Sequence, residues 1–281
     1  MARYYLSKLI EEAHANDGFI SAFVYGPQGS GKTSYSLRIA ADVYGDWNTA
    51  LKHLFFYPDE VIDLMLRTLE KLETGEGEKI KVLIMDDAGV WLSRTKWWEE
   101  SKQEFAELFD LIRTVCSCVI FNSPANNIIR RVTNEIILRV KITKINPEMH
   151  EMLLRQGYNV DPRKYRLAVL YSYNLTPKFQ EYIKKEAYDI FPLHYPVYEE
   201  YQKVRLRVVK NKLISVKQVL EAKRKERLIV DGEINENLLD EQIVELLRLG
   251  LPKQRIAKIL GISPRTLYDR LKKLKAKISP A

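Results

Sequence analysis

Eight consecutive residues, Gly26-Pro27-Gln28-Gly29-Ser30-Gly31-Lys32-Thr33, fit the pattern G-x-x-x-x-G-K-[ST] without a mismatch. Glycines at this spacing let backbone N–H groups turn inward around a polyphosphate, at the positive end of a following helix. The lysine reaches the β- and γ-phosphates, and the hydroxyl of Thr33 is placed to ligate Mg²⁺. Ser34 carries the loop into the helix. The expected nucleotide contacts are therefore Gly26 through Ser34, with ATP and Mg²⁺ as the ligands, and Lys32 also stabilises charge during phosphoryl transfer.

Further along, Lys81-Val82-Leu83-Ile84-Met85 runs into Asp86-Asp87. An apolar run closed by acids reads as a buried central strand whose carboxyl tip carries carboxylates, which is where open parallel sheets bind ligands. Asp86 is expected beside the loop, holding Mg²⁺ through water. Asp87 is expected to orient or deprotonate the attacking water, or else only to support the metal's shell. The paired acids, with room for an inserted strand, argue for the additional-strand branch of P-loop ATPases. That branch usually uses glutamate as base; aspartate is one methylene shorter, which predicts slow hydrolysis.

A strand over Val115–Phe121 ends in Asn122-Ser123-Pro124. A polar residue at that tip can bond both the lytic water and a phosphate oxygen, so Asn122 is a catalytic candidate; a plain Asn-Ser-Pro turn is the alternative. Arg130 and Arg131, on a short helix expected over 126–132, are candidates for stabilising a neighbouring subunit's γ-phosphate. Arg113 and Arg94 are rivals, and paired arginines also sit on ordinary solvated helix ends.

The elements that position these groups follow from periodicity. A helix is expected over 3–15, a strand over 19–25 and a helix over 32–44. A short strand lies near 54–56, and Pro58-Asp59-Glu60 opens a helix that runs to about Glu73. A helix over 98–114 precedes the strand at 115–121. Strands at 136–142 and 165–173 extend the sheet with an antiparallel edge. Residues 177–228 read as helical and increasingly charged. Trp91, Trp97 and Trp98 lie near Arg94 and Lys96; packing on the core is the plainer reading, base stacking the other. Cys116 and Cys118, expected on one face of a strand, read as apolar packing, and the four scattered histidines make no metal pattern.

The polar stretch 231–237 is a candidate boundary. Beyond it, helical patterns at 238–249, 253–260 and 264–275 read as a helix-turn-helix unit. Its small core is expected from Ile256, Ala257, Leu260, Ile262, Leu267 and Leu271. Ser263 is a natural N-cap ahead of Pro264. The last helix is expected to expose Arg265, Thr266, Tyr268, Asp269, Arg270, Lys272 and Lys273. Ser263, Arg265, Thr266, Tyr268, Arg270, Lys272 and Lys273 are thus the candidate contacts to double-stranded DNA.

Charge supports that division. The chain's net charge is +8, yet residues 201–281 hold 20 Lys and Arg against 9 Asp and Glu, leaving 25 against 28 in the first 200. A slightly acidic body with a basic end fits an attached nucleic-acid binder. No apolar run approaches the ~20 residues of a membrane helix, and the N-terminus shows no signal-peptide core. A cytoplasmic protein is expected, with no membrane partner.

The loop, the acid strand and the Asn122 strand together resemble the AAA+ class, nearest to initiator-like and helicase-loader-like ATPases. Three stretches, Gly18-Phe19 through the loop to Tyr35, Asp86-Asp87-Ala88-Gly89-Val90-Trp91-Leu92, and Val119 to Pro124, more narrowly resemble a DnaA-like ATPase family of archaeal fuselloviruses and plasmids. That resemblance covers residues 1–200. It implies ATP and Mg²⁺ at Lys32, Thr33, Asp86 and Asp87, and a role in replicating or maintaining a mobile element. The chain departs from AAA+ proteins after the core, where strands replace the helical lid and its sensor arginine. The end of the chain resembles resolvase- and Fis-like units.

The expected architecture is an α/β P-loop ATPase domain with a mainly parallel sheet (1–200), a basic helical linker (201–232) and a small all-α helix-turn-helix domain (233–281). The expected activity is ATP-switched assembly on DNA, as a homo-oligomer, for replication initiation or recruitment of a replication or recombination protein. The alternatives are a transposition-helper or DNA-packaging motor, and a nucleotide-gated transcription regulator without turnover.

Overall fold

The computed structural model describes residues 4–91, 107–108, 111–124, 138–175, 181–230 and 236–278. Helix α1 (Tyr5–Ala15) precedes strand β1 (Ile20–Tyr25), and the glycine-rich loop joins β1 to α2 (Lys32–Tyr44). Next come α3 (Trp47–Lys52), β2 (Leu54–Phe55), α4 (Pro58–Glu73), β3 (Leu83–Met85), the single turn α5 (Ala88–Trp91) and β4 (Cys118–Ser123). β5 (Leu138–Lys144), α6 (Pro147–Arg155), β6 (Tyr165–Leu175), β7 (Glu181–Pro192) and the long α7 (Tyr198–Val230) follow. The chain ends with α8 (Glu236–Arg248), α9 (Lys253–Leu260) and α10 (Pro264–Ile278).

The strands form one seven-stranded sheet in the order β2-β3-β4-β1-β5-β6-β7. β1 pairs parallel with β4 on one side and β5 on the other, and β3 pairs parallel with β4. One strand therefore stands between the loop strand and the acid-bearing strand, which is the additional-strand order of P-loop folds. β6 and β7 continue the sheet antiparallel, as the expected edge does.

Every residue of β4 is buried, and so are the four central residues of β1. Such unbroken apolar runs fit a parallel sheet covered on both faces. Side-chain alternation then sorts the two faces. Phe23, Leu83, Met85, Val119 and Phe121 pack with Val61 and Met65 of α4. Their neighbours turn the other way, where Asn122 meets Ser36 of α2. Cys116 precedes β4 and joins the cluster under α4, whereas Cys118, next to Val119 in β4, faces the other way, so the two do not share a face as expected. Burial raises both thiols, Cys116 to about 12.

One expectation fails. Residues 181–190, within the stretch read as helical, form most of β7 instead. The physical reason is the open edge of β6: pairing along its whole length satisfies backbone groups that a helix there would leave exposed. Sheet context outweighs local propensity, and the pairing sinks Phe191 into the core.

The chain divides by contacts into residues Met1–Gln202 and Lys203–Ala281, and α7 runs through that division. In the second unit Leu239, Ile243, Ile256, Ala257, Ile262 and Leu267 form a buried cluster, flanked by Leu260 and Leu271. All six expected core residues are among them. The helix expected over 126–132 with Arg130 and Arg131, most of that expected over 98–114, Arg94, Lys96, Trp97 and Trp98 lie outside the described residues.

Candidate functional site

The loop is shaped by its glycines at two points. Gly26 has φ near +153°, and a Cβ there would stand 2.7 Å from the carbonyl oxygen of Ile142. Gly31 caps α2 at φ near +101°, and its Cβ would meet Leu193 at 2.7 Å. A side chain at position 26 would collide with the backbone of β5, and one at position 31 would be strained by its left-handed φ. Gly31 brings no capping side chain to the start of α2, the end of a helix that favours an anion.

Within this cradle Lys32 is mostly buried and donates from Nζ to the carbonyl oxygens of Gly26 and Pro27, at 2.9 and 3.0 Å. The ammonium is thus stored on the loop itself. Ser30 is buried, and its hydroxyl finds no hydrogen-bond partner among the described residues. An orphaned donor inside an anion cradle is what a phosphate oxygen would satisfy. Pro27, Gln28 and Gly29 form the exposed rim.

The Ser34 hydroxyl is engaged elsewhere. Its expected role is at the nucleotide, but it donates to the carbonyl oxygens of Pro192 and Leu193, the latter at 2.8 Å. Helical spacing turns position 34 away from the loop opening, so the side chain locks α2 to the end of β7.

Asp86 is 2% exposed. Thr33 Oγ1 donates to it at 3.1 Å, Asn122 Nδ2 at 2.9 Å and the Tyr201 hydroxyl at 2.7 Å. The carboxylate thus stands against the loop threonine, across β4, as the paired motifs require. Magnesium needs oxygen ligands and is commonly held by one or two carboxylates plus substrate phosphates. Thr33 and Asp86 supply such a hard-oxygen pair, and among the described residues no larger cluster of His, Cys, Asp or Glu competes for a metal. The donor set fits.

Burial is the main cause that raises the Asp86 carboxyl above the usual range, with Asp87 adding to it, while the bonds from Asn122, Tyr201 and Thr33 pull it back. A raised acid in the fold binds its proton more tightly than the unfolded chain does. Its stabilising contribution is therefore complete below the unfolded carboxyl range and is lost as pH rises through the raised value. Ionisation of the buried carboxyl therefore opposes folding. Asp86→Asn is expected to raise the melting temperature of the nucleotide-free protein, and to raise it more at higher pH. Asn122 and Ser36 can reverse their donor and acceptor roles to suit the new amide. Calorimetry at pH 7 and pH 5 checks it: the gain should shrink at the lower pH.

Asp87 sits at φ near +50°, one of two described non-glycine residues with positive φ. Left-handed backbone in such a residue is uncommon, and Asp and Asn tolerate it best. Asn122 is fully buried and gives both ends of its amide to protein, donating to Asp86 and accepting from Ser36 Oγ at 2.7 Å. Its expected place is at the phosphate; the geometry makes it a brace for Asp86. Sequence reading misses Ser36 and Tyr201. Ser36 lies one helical turn past Thr33, a signal that was available; Tyr201 carried none.

In the second unit the Ser263 hydroxyl accepts from the Thr266 backbone N–H at 3.0 Å and lies 2.8 Å from its side-chain oxygen. That is the N-cap the sequence foretold. Arg265, Tyr268, Lys272 and Lys273 are exposed, and Lys253 stands 5.0 Å over the Tyr268 ring. Arg270 corrects the expectation. It is buried and pairs with Asp240 at 2.9 Å, because position 270 shares the inward face with Leu267, Leu271 and Leu274.

Residues 252–274 match the family model described as "Bacterial regulatory protein, Fis family". The chain is 35% identical over 131 residues to uncharacterized protein B-251 of Sulfolobus spindle-shape virus 1, covering 44% of this chain and 50% of that one. It is 31% identical over 123 residues to uncharacterized protein ORF286 of Acidianus two-tailed virus, covering 43% and 41%. The chain thus spans half or less of the length of these viral relatives. Among solved structures it is similar to the genome packaging NTPase B204 of Sulfolobus turreted icosahedral virus 2 with ATP-gammaS, at 11% identity and TM-score 0.33 over 61% of this chain and 99% of that one. It is similar also to flagellar accessory protein FlaH of Methanocaldococcus jannaschii, at 12% identity and TM-score 0.33 over 66% and 96%. No described helix is long and apolar enough to cross a membrane.

Proposed function

We propose that this chain is a Mg-ATP-dependent DNA-binding ATPase of a mobile genetic element, in which ATP switches assembly on DNA. The observation that carries the reading is the contact of Thr33 with the buried Asp86 beside a loop that stores Lys32 and leaves Ser30 unpaired. Bound Mg²⁺ would neutralise charge on the β- and γ-phosphates. Thr33 and Asp86 would hold it, Asn122 and Tyr201 would fix the Asp86 carboxylate, and Lys32 would leave the loop carbonyls for the phosphates. Asp87 would take the proton of the attacking water. Arg130 or Arg131 would act on a neighbouring copy, and Arg265, Tyr268, Lys272 and Lys273 would meet duplex DNA.

The DnaA-like resemblance favours replication initiation or recruitment of a replication protein as the process. Asp87 tests the chemistry. Asp87→Asn keeps the left-handed backbone and removes the base, so phosphate release should fall roughly 10²-fold or more while nucleotide binding stays. Phosphate release with and without duplex DNA reads this. An unchanged rate would remove Asp87 from the base role. Binding without any turnover in the wild-type protein would favour the nucleotide-gated regulator, a reading the short Asp87 side chain also favours. Fast turnover raised by DNA would favour a motor.

A further inference from the structure

Tyr201 lies on the first turns of α7, on the far side of the chain in sequence from the loop, yet its ring is 2% exposed. Its hydroxyl donates to Asp86 Oδ2 at 2.7 Å, while Asn122 donates to Oδ1. The ring is wedged beside Phe56, at 6.3 Å between centroids, and edge-on to Tyr195 at 6.1 Å. Asp86 therefore has one donor from the sheet, one from the loop and one from α7. The contact division of the chain falls at Gln202, one residue beyond. The same helix continues into the second unit.

From this juxtaposition we infer that Tyr201 is a positioning residue that ties the state of the metal-binding carboxylate to helix α7. The inference rests on the proposed nucleotide site and adds a regulatory path to it. A carboxylate oxygen has room for few partners, and a short bond from a buried phenol takes one of its best directions. Thr33 now donates to Asp86; when its hydroxyl turns to a cation, the carboxylate must be held by the donors that remain. Asn122 fixes Oδ1 from rigid β4, and Tyr201 fixes Oδ2 from α7. Any shift of the carboxylate toward the loop pulls on the phenol, and the ring's packing leaves the helix turn no independent movement. Only a ligand that engages the carboxylate biases α7 by this route.

Tyr201→Phe removes one oxygen and keeps the ring. Tyr198→Phe, on the same helix but exposed, serves as control. Two measurements are made on the full chain: affinity for ATPγS with and without Mg²⁺, and amide hydrogen exchange over residues 198–210. In the wild type, Mg²⁺ should tighten nucleotide binding and change exchange at the start of α7. In Tyr201→Phe, affinity without Mg²⁺ should stay within about twofold, while the gain from Mg²⁺ should shrink roughly tenfold, the loss of one charge-assisted bond. The Mg²⁺-dependent exchange change in α7 should vanish. General loosening of the fold would instead weaken Mg²⁺-free binding equally. A variant with wild-type Mg²⁺ gain and exchange overturns the inference, as does a wild type whose α7 ignores Mg²⁺ while still binding the nucleotide. A wild type that binds no nucleotide overturns the site reading itself and this one with it.

Discussion

Lys32→Ala should bring phosphate release to background, a loss of more than about 10³-fold, with nucleotide affinity falling as well. The lysine is the cation the loop keeps in store, and removal of a single preorganised charge-stabilising donor already costs about 10²–10³ in rate. Here the effect should exceed that range because the ammonium serves both binding and the transition state. In the structure its Nζ is bonded to the carbonyl oxygens of Gly26 and Pro27. Alanine removes both bonds and leaves the two loop carbonyls without that donor. Those bonds also explain why the fold should survive: they lie at the loop opening and not in the sheet core. Lys32→Arg separates charge from shape, since a guanidinium keeps the charge but is planar and longer. It should retain part of the binding and little of the turnover. Equilibrium binding of ATPγS beside a phosphate-release assay checks both variants. Retention of full turnover in Lys32→Ala would overturn the assignment of the loop.

What the sequence made legible was local. The loop motif is contiguous, and the acid strand announces itself by an apolar run that ends in two acids. The inserted strand order was argued from the paired acids and their distance from the loop, and the antiparallel edge and the helix-turn-helix core from periodicity of 2 and 3.6 and from turn chemistry. What stayed hidden was set by tertiary contact. β7 carries Lys184 and Lys185 on the part that faces water, and local composition says nothing about the open edge of β6 that it fills. Tyr201 lies 115 residues from Asp86, in a stretch whose charge advertises solvent. Asn122 was placed at the right strand tip, yet its partners depend on which sheet face α2 covers. The cap at Ser263 stands directly before Pro264, so it was found, whereas its partner Thr266 was read only as a DNA contact.

Arg270 is the instructive failure, and it yields the largest expected effect in the second unit. Read as a DNA contact, Arg270→Ala would weaken DNA binding and spare the fold. Read from the structure, it should destabilise the unit. The Arg270 side chain is 10% exposed and Asp240 16%, so neither charge has much water to fall back on. Removing one partner of such a pair strands the other and costs about 3 kcal/mol or more. That is a large share of what a small helical unit with a single cluster of apolar side chains has to lose. Arg270→Ala should therefore lower the melting temperature of the second unit and weaken DNA binding only in parallel with that loss. Asp240→Ala should do the same, although an acidic residue makes no attractive contact with phosphate. That equality is the discriminating result. Replacing both charges at once, Asp240→Leu together with Arg270→Met, should restore most of the melting temperature, since well-packed apolar pairs often match buried ion pairs. Circular dichroism melts of the full chain, followed at the helix signal, report the fold; DNA titrations of the same samples report binding. If Arg270→Ala melts as the wild type does while binding falls, the guanidinium reaches DNA after all, and the inward pairing with Asp240 is not its working state.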